Sequence, residues 1–417
     1  MIDRRHMMAG LGALGLAGGL ISAAARAAAP VLSGLTPMTG DVRPISAAER
    51  AERLAQARAL MKAHGIDAVL IEPGASLVYF TGVEWHRSER LTAALIPAEG
   101  PLLVVTPFFE EPSVRQTLAV PAELRVWQED ESPFALIAGF LKDQKLPART
   151  IGIEETARYF ASDGLARLTG AKLVSANPVV RGCRMIKSAA EIALMQKAAD
   201  ITIAAYRFTL PRIEAGMSPG DIGAIMNAAT AKLGGSPEFA LVLIGPAAAL
   251  PHGSREPQRV APGAVVLMDC GCAVEGYQSD ISRTFVFGAA SAEQRRVWDQ
   301  VRQGQQTALA AARIGTPAGT VDDAVRRLYQ SWGYGPDYRL PGLSHRTGHG
   351  IGLDGHEPVN LVRGEQTRLA AGMCFSNEPG LYLPGKFGVR LEDCFYMTEA
   401  GPRWFSTPPR SLDAPLG

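Results

Sequence analysis

Two aspartates stand where aspartates are costly. Asp269 lies in Val-Val-Leu-Met-Asp-Cys-Gly-Cys-Ala-Val, and Asp280 follows in Ser-Asp-Ile-Ser-Arg-Thr-Phe-Val-Phe. Val, Ile, Phe and Thr dominate both runs, so residues 265–287 read as two strands joined by a turn over residues 273–276. A carboxylate on a buried strand needs a counter-charge or a cation, and two at matched places on neighbouring strands ask for a metal. His349 in Thr-Gly-His-Gly-Ile-Gly, Glu378 in Ser-Asn-Glu-Pro-Gly-Leu-Tyr and Glu392 in Gly-Val-Arg-Leu-Glu-Asp complete a set of four carboxylates and one imidazole. That set suits two divalent ions, which bridging carboxylates hold roughly 3.5–4 Å apart.

Two such ions lower the pKa of a shared water and give hydroxide near neutral pH, ready to attack a carbonyl carbon. Glu378, beside a turn, is the candidate for shuttling the proton. His252 and His356 are placed to donate hydrogen bonds to a developing oxyanion or to hold the scissile amide. Four of the seven histidines fall in the two loop regions around His252 and His345–His349–His356, and this clustering with carboxylates sets them apart from ordinary core histidines. Glycines 348, 350 and 352 allow close backbone approach around His349. Strand alternation puts Arg390, Glu392 and Cys394 on one face. Arg390 therefore orients a ligand carboxylate, meets an anionic group of the substrate, or forms a plain ion pair with Glu392. Cys270-Gly-Cys272 offers soft ligands, but the neighbouring carboxylates favour harder ions.

These residues need a frame. A chain of 417 residues is long for one core, so two domains are expected. Near-half hydrophobic content, a formal net charge of +1 and the lack of a basic run indicate a globular protein without a nucleic-acid partner. Ser46-Ala-Ala-Glu49 is a capping box for a helix stopping at Gly65. Strands are expected at 67–72, 78–81, 91–96, 102–106, 124–127, 151–153 and 172–174, with helices at 133–141 and 156–168. This is an α/β domain over residues 45–178. Trp85-His86-Arg87 reads as a solvated loop, or as one reaching over an active site of a neighbouring subunit.

A second domain spans residues 179–410. Ser188-Ala-Ala-Glu191 caps a helix with Ile192, Met195, Ala199 and Ile203 at core spacing. Ser218-Pro-Gly-Asp221 opens another, which Gly234-Gly235 ends. Strands with Asp269 and Asp280 follow. The order then recurs: Ser291 to Gln294 opens a long helix, a turn near Gly315 leads to a shorter one ending by Trp332, and strands supply His349, Glu378 and Glu392. Two helix–turn–helix–strand halves suggest an internal duplication with the site between them.

The first residues stand apart. Asp3-Arg4-Arg5-His6 precedes an apolar, Gly- and Ala-rich stretch, and Ala25-Arg26-Ala27 is a small-x-small cleavage site. Residues 1–27 read as a twin-arginine-type signal peptide, giving an exported, periplasmic protein without a stable membrane anchor after processing. Residues 28–44, rich in Pro and Gly toward their end, read as a tether. The five cysteines, 183, 270, 272, 374 and 394, are odd in number and mostly within expected strands, so they read as buried thiols rather than a disulfide framework.

The ordered series His252, Asp269, Asp280, His349, His356, Glu378, Glu392, with Met-Asp-Cys-Gly, Gly-His-Gly-Ile-Gly-Leu-Asp-Gly-His-Glu, Asn-Glu-Pro-Gly-Leu-Tyr and Gly-Val-Arg-Leu-Glu-Asp, resembles the pita-bread metallopeptidases. Gly65-Ile-Asp-Ala-Val-Leu and Tyr79-Phe-Thr-Gly82 resemble the creatinase/prolidase-type N-terminal domain. Methionine aminopeptidases generally lack that domain, so the resemblance points to the prolidase and aminopeptidase P branch. It implies an α/β (α+β) chain with a creatinase-like domain followed by a pita-bread domain. It further implies two divalent metals (manganese first; cobalt, zinc or iron as alternatives), Asp269 on one, His349 and Glu378 on the other, and Asp280 and Glu392 bridging. His345 would lie near the proline end of a short Xaa-Pro peptide, and the protein would be a homodimer. The same site could instead act on a small non-peptide amide or amidine, by hydrolysis or elimination. Arg346, Thr347 and Cys394 depart from the family's usual pattern.

Overall fold

The computed structural model describes residues 32–416, so the signal-peptide reading lies outside the described residues. Among the described residues no helix is long and apolar enough to cross a membrane.

Helix α1 (Ala47–His64) starts on the expected capping box, Ser46 with Glu49, and stops at Gly65 in the left-handed region. A six-stranded mixed sheet follows, in the order β4-β3-β2-β1-β5-β6. It is built from β1 (Ala68–Ile71), β2 (Ala93–Pro97), β3 (Leu103–Pro107), β4 (Glu123–Trp127), β5 (Thr150–Ile153) and β6 (Lys172–Ser175). Helices cover both faces, so β1 is buried throughout. Val69 and Ile71 pack with Ala57 and Met61 of α1, while Ala68 and Leu70 pack on the opposite face.

Residues 78–81 are not a strand. They lie in α2 (Ala75–Thr81), which Gly82 closes with a positive φ of 80°. Leu77 and Phe80, three apart, enter the core, and Tyr79 Oη donates to the Cys183 carbonyl at 3.1 Å. Burial against α1 overrides the β preference of Val, Tyr, Phe and Thr. Helices α3 (Glu111–Thr117), α4 (Pro133–Asp143) and α5 (Tyr159–Thr169) complete the layers. The same core takes in Val179, Val180 and Cys183 of α6 (Asn177–Arg184), past residue 178.

The remainder runs helix, helix, sheet twice. Helices α7 (Ala189–Thr209) and α8 (Pro219–Leu233) precede a sheet in the order β10-β8-β7. Its strands are β7 (Ser236–Ile244), β8 (Val265–Val274) and β10 (Ile281–Val286), and β9 (Tyr277–Gln278) folds back on the end of β8. Helices α9 (Ala292–Ala311) and α10 (Gly319–Ser331) precede a sheet in the order β12-β11-β13-β16-β17. These strands are β11 (Gly348–Gly350), β12 (Glu357–Leu361), β13 (Cys374–Asn377), β16 (Asp393–Thr398) and β17 (Gly401–Trp404), with a hairpin of β14 (Leu381–Leu383) and β15 (Phe387–Val389) between. Three of these four helices start on capping boxes, as the sequence pattern has them: Ser188 with Glu191, Ser218 with Asp221 and Ser291 with Gln294.

Strand β8 joins the two halves. Val266, Met268, Cys270 and Cys272 face α7 and α8, while Val265 and Leu267 join the core under α9 and α10. Asp269 shares the second face. Residues 32–44, expected as part of a tether, are packed down: Leu35, Met38 and Val42 lie against the first of these cores, and Met38 N–H donates to the Leu233 carbonyl at 2.8 Å.

Candidate metal centre

The five expected ligands converge. Asp269 sits mid-strand in β8 opposite Ser282 of β10. Asp280 is not within a strand as expected; it stands in the break between β9 and β10. The Cys394 thiol donates to the Asp280 carbonyl at 3.2 Å and pins this bend, which gives the cysteine a role the sequence did not disclose. Glu392 lies just before β16, and its backbone exchanges two 3.2 Å bonds with Ser282, stitching the two sheets together at the ligand.

His349 is central in β11, with β12 and β13 on either side. A Cβ at Gly348 would stand 2.1 Å from the Ser376 carbonyl oxygen, and one at Gly350 would stand 2.7 Å from that of Glu357. The flanking glycines therefore serve close strand approach. His349 Nδ1 lies 3.0 Å from the Gly350 carbonyl. Donation there fixes the tautomer and leaves Nε2 with a lone pair. Nε2 is 3.4 Å from Glu378 Oε1 and 3.6 Å from Asp280 Oδ2.

Ligand atoms of His349, Glu378 and Glu392 lie within 4.8 Å of one another, as do those of Asp269, Asp280 and Glu392. Buried Asp269 Oδ1, Asp280 Oδ1 and Glu392 Oε1 have no hydrogen-bond partner. Orphaned carboxylate oxygens turned toward one another are the donors that hard divalent cations take, so the residues fit the metal the sequence asks for. Burial drives Asp280 and Glu392 well above the usual carboxylate range, and the neighbouring acids add to it. Glu378 is pushed up to about 7, burial outweighing the opposing Arg390. Burial likewise holds His349 neutral.

Arg390, nearly fully buried, is turned to the ligands. It reaches Asp269 Oδ2, donates from Nε to Ser282 Oγ at 2.9 Å, and stands 3.8 Å from Glu392 Oε2. Ser282 Oγ in turn donates to Glu392 Oε2 at 2.8 Å. His345 Nε2 is 2.7 Å from the Tyr382 hydroxyl, and burial, with Arg390 adding to it, lowers its pKa to about 3. The His356 ring lies 4.0 Å from that of His349. His252 lines the same cavity, of about 950 Å³, as do Arg346 and Thr156 of the N-terminal domain.

Sequence reading missed Ser282, Ser376 and Tyr382. The two serines each lie two residues from a ligand, Asp280 and Glu378, the spacing that had paired Arg390 with Glu392. The Trp85-His86-Arg87 loop is anchored within this chain: Trp85 stacks on His86, and Arg87 Nη2 donates to Thr156 Oγ1 at 3.0 Å.

Residues 193–399 match the model of metallopeptidase family M24, and residues 53–186 match the creatinase/prolidase N-terminal domain. The crystal structure of dipeptidase PepE from Mycobacterium ulcerans superposes with a TM-score of 0.81 at 31% identity, covering 89% of this chain and 99% of that one. Xaa-Pro dipeptidase of Pyrococcus furiosus is 30% identical over 370 residues, 87% of this chain and 99% of its own. The X-Pro aminopeptidase structure from Thermotoga maritima aligns with a TM-score of 0.72 at 30% identity, covering 85% and 99% of the two chains. With both domains matched and relatives at 30% identity spanned almost whole, the chain belongs to metallopeptidase family M24 and carries a creatinase/prolidase N-terminal domain.

Proposed function

We propose that this enzyme is an exported, dinuclear-metal Xaa-Pro peptidase acting on short peptides. The observation that carries the reading is the pair of overlapping ligand triads sharing Glu392, each compact enough for one ion. The names of the relatives, Xaa-Pro dipeptidase among them, support the substrate class. The oxygen-rich donors suit manganese first, with cobalt, zinc or iron as alternatives. When bound, the ions supply an activated water and polarise the amide carbonyl.

The chain's own groups do the rest. Glu378, on the cavity wall beside the other acids, is placed to take a proton from water and return it to the leaving nitrogen. His252 and His356, on the cavity wall, donate to the carbonyl oxygen as charge develops on it. Arg390 holds Asp269 and Glu392 in position rather than meeting the substrate, since its donors are turned to those acids and to Ser282. His345, steadied by Tyr382, faces the leaving side. The leader-like residues 1–27 support export in the folded state, and a homodimer is carried over from the resemblance.

The test is a peptide-length series on protein recovered from the periplasmic fraction. We expect an N-terminus at Ala28, two metal ions per chain, and hydrolysis of Ala-Pro or Ala-Pro-Ala but not Ala-Ala. A filled site that turns over no Xaa-Pro peptide sinks the substrate class, and turnover of a small amide or amidine instead replaces it.

A further inference from the structure

We infer that Asp322 of α10 is a positioning residue for the metal centre, acting through Thr347 on His349 and Glu378 together; this rests on the dinuclear-metal reading above. Between α10 and β11 the chain runs over residues 332–347 without helix or strand, held to the rest by one isolated bridge from Gly342 to Tyr382. Main-chain pairing therefore does not fix the segment that delivers His345 and leads into His349. Two buried side chains one turn apart on α10 do so. Asp322 Oδ1 accepts from the Thr347 hydroxyl at 2.7 Å and from the Thr347 N–H at 3.2 Å. Its Oδ2 accepts from Arg326 Nε at 2.7 Å and from the Arg363 N–H, just past β12, at 3.0 Å. Arg326 then donates to three carbonyls of the irregular segment: from Nη1 to Asp337 at 2.7 Å and Leu343 at 3.1 Å, and from Nη2 to His345 at 2.6 Å.

Thr347 is where this framework meets the ligands. Its carbonyl accepts from the Glu378 N–H at 2.9 Å, and His349 follows two residues later. One carboxylate thus fixes the main chain beside two ligands, one in β11 and one at the end of β13, whose Nε2 and Oε1 atoms stand 3.4 Å apart. A site of this kind works only when its groups are held to within about 0.5 Å. Stability does not account for the arrangement. A buried ion pair can be exchanged for apolar side chains at little cost. What apolar side chains cannot supply is directed, charge-assisted bonds to a segment that lacks partners of its own. Asp322 and Thr347 are both fully buried, so water does not stand in for either.

The experiment titrates cobalt into the chelator-treated full chain, read by calorimetry and by the visible absorption of the bound ion. Wild type is expected to take up two ions. T347V, which removes the hydroxyl and keeps the shape, is expected to bind at least one of them about 10- to 100-fold more weakly, with an altered spectrum. T347S, which keeps the hydroxyl, is expected to restore the wild-type affinity and spectrum. D322N sets an amide N–H against a donor and is expected to lose more than T347V; it carries the test if T347V does not fold. Denaturant melts establish that each variant is folded at the titration temperature. A merely structural bond would lower the melt midpoint of T347V and leave the affinity and spectrum of the folded protein unchanged, and that result overturns the positioning role. An equal loss in T347V and T347S overturns it as well, since the hydroxyl would not be the cause; both outcomes leave the metal reading standing. Wild type that takes up no cobalt overturns the metal reading and this inference with it.

Discussion

At the scale of the residue, the centre is a set of acids that disfavour the fold until cations arrive. Asp280 and Glu392 are buried, each raised by its neighbours, with orphaned oxygens turned inward. Removing one negative charge relieves that repulsion while deleting a ligand. Asp280→Asn is therefore expected to make chelator-treated protein more stable, by about 1–2 kcal/mol. It should also abolish the stabilisation expected for wild type on adding a divalent metal and cut peptide hydrolysis by about 1,000-fold or more. Thermal melts with and without chelator check this, and a metal-free variant less stable than metal-free wild type sinks the argument. The convergence of these five side chains was legible in the sequence because an acid in an apolar run, or a histidine among glycines, has few bland explanations. Cys394 was not: its partner is a backbone carbonyl 114 residues away, and no pattern within its own strand points there.

At the scale of the element, ligand precision comes from backbone contact. The Cβ of an alanine at position 348 meets a carbonyl oxygen of β13, the strand leading to Glu378, and no flexible side chain can yield there. Gly348→Ala should force β11 and β13 apart, costing about 2–4 kcal/mol and weakening metal binding with it. Gly40→Ala is the control, since nothing lies within 4 Å of its added Cβ and its φ is ordinary. Denaturant melts and metal titrations read both variants, and an unaltered metal affinity in Gly348→Ala contradicts this view of the glycines. Helix starts were legible here because Ser-x-x-Glu and Ser-x-x-Gln satisfy orphan N–H groups locally, whatever surrounds them. Residues 78–81 were misread because their local preference is for strand, and only contact with α1 and Cys183 decides otherwise. Asp280 was misplaced by one element for a similar reason: the break before β10 depends on remote partners.

At the scale of the whole molecule, the two domains were legible from composition and order, but their join was not. Buried Glu357, at the start of β12 and next to His356, receives Lys187 Nζ at 2.9 Å and is also paired with Arg184 at the end of α6. Arg184 continues to Ser76 at 2.9 Å, in α2 of the N-terminal domain. A second bridge runs from Arg53 of α1 to Tyr277 at 2.9 Å and Glu191 at 3.2 Å. Such pairs join residues more than 100 positions apart, so no local pattern announces them. Burial alone would raise the Glu357 pKa, yet Lys187 and Arg184 outweigh it and bring it from 4.5 down to about 2. A folded pKa below the unfolded one means stability that is fully present above pH 4.5 and is lost as pH falls toward 2. The shift corresponds to roughly 3 kcal/mol. Glu357→Gln, which leaves Lys187 buried without its counter-charge, should lose about 3–5 kcal/mol at neutral pH. Its deficit against wild type should shrink as pH drops below 4.5, where the unfolded wild-type chain takes up a proton that the folded one refuses until about pH 2. Denaturant melts of both proteins at stepped pH measure the gap, and a deficit that stays constant or widens on acidification would show that the join does not depend on this carboxylate's charge.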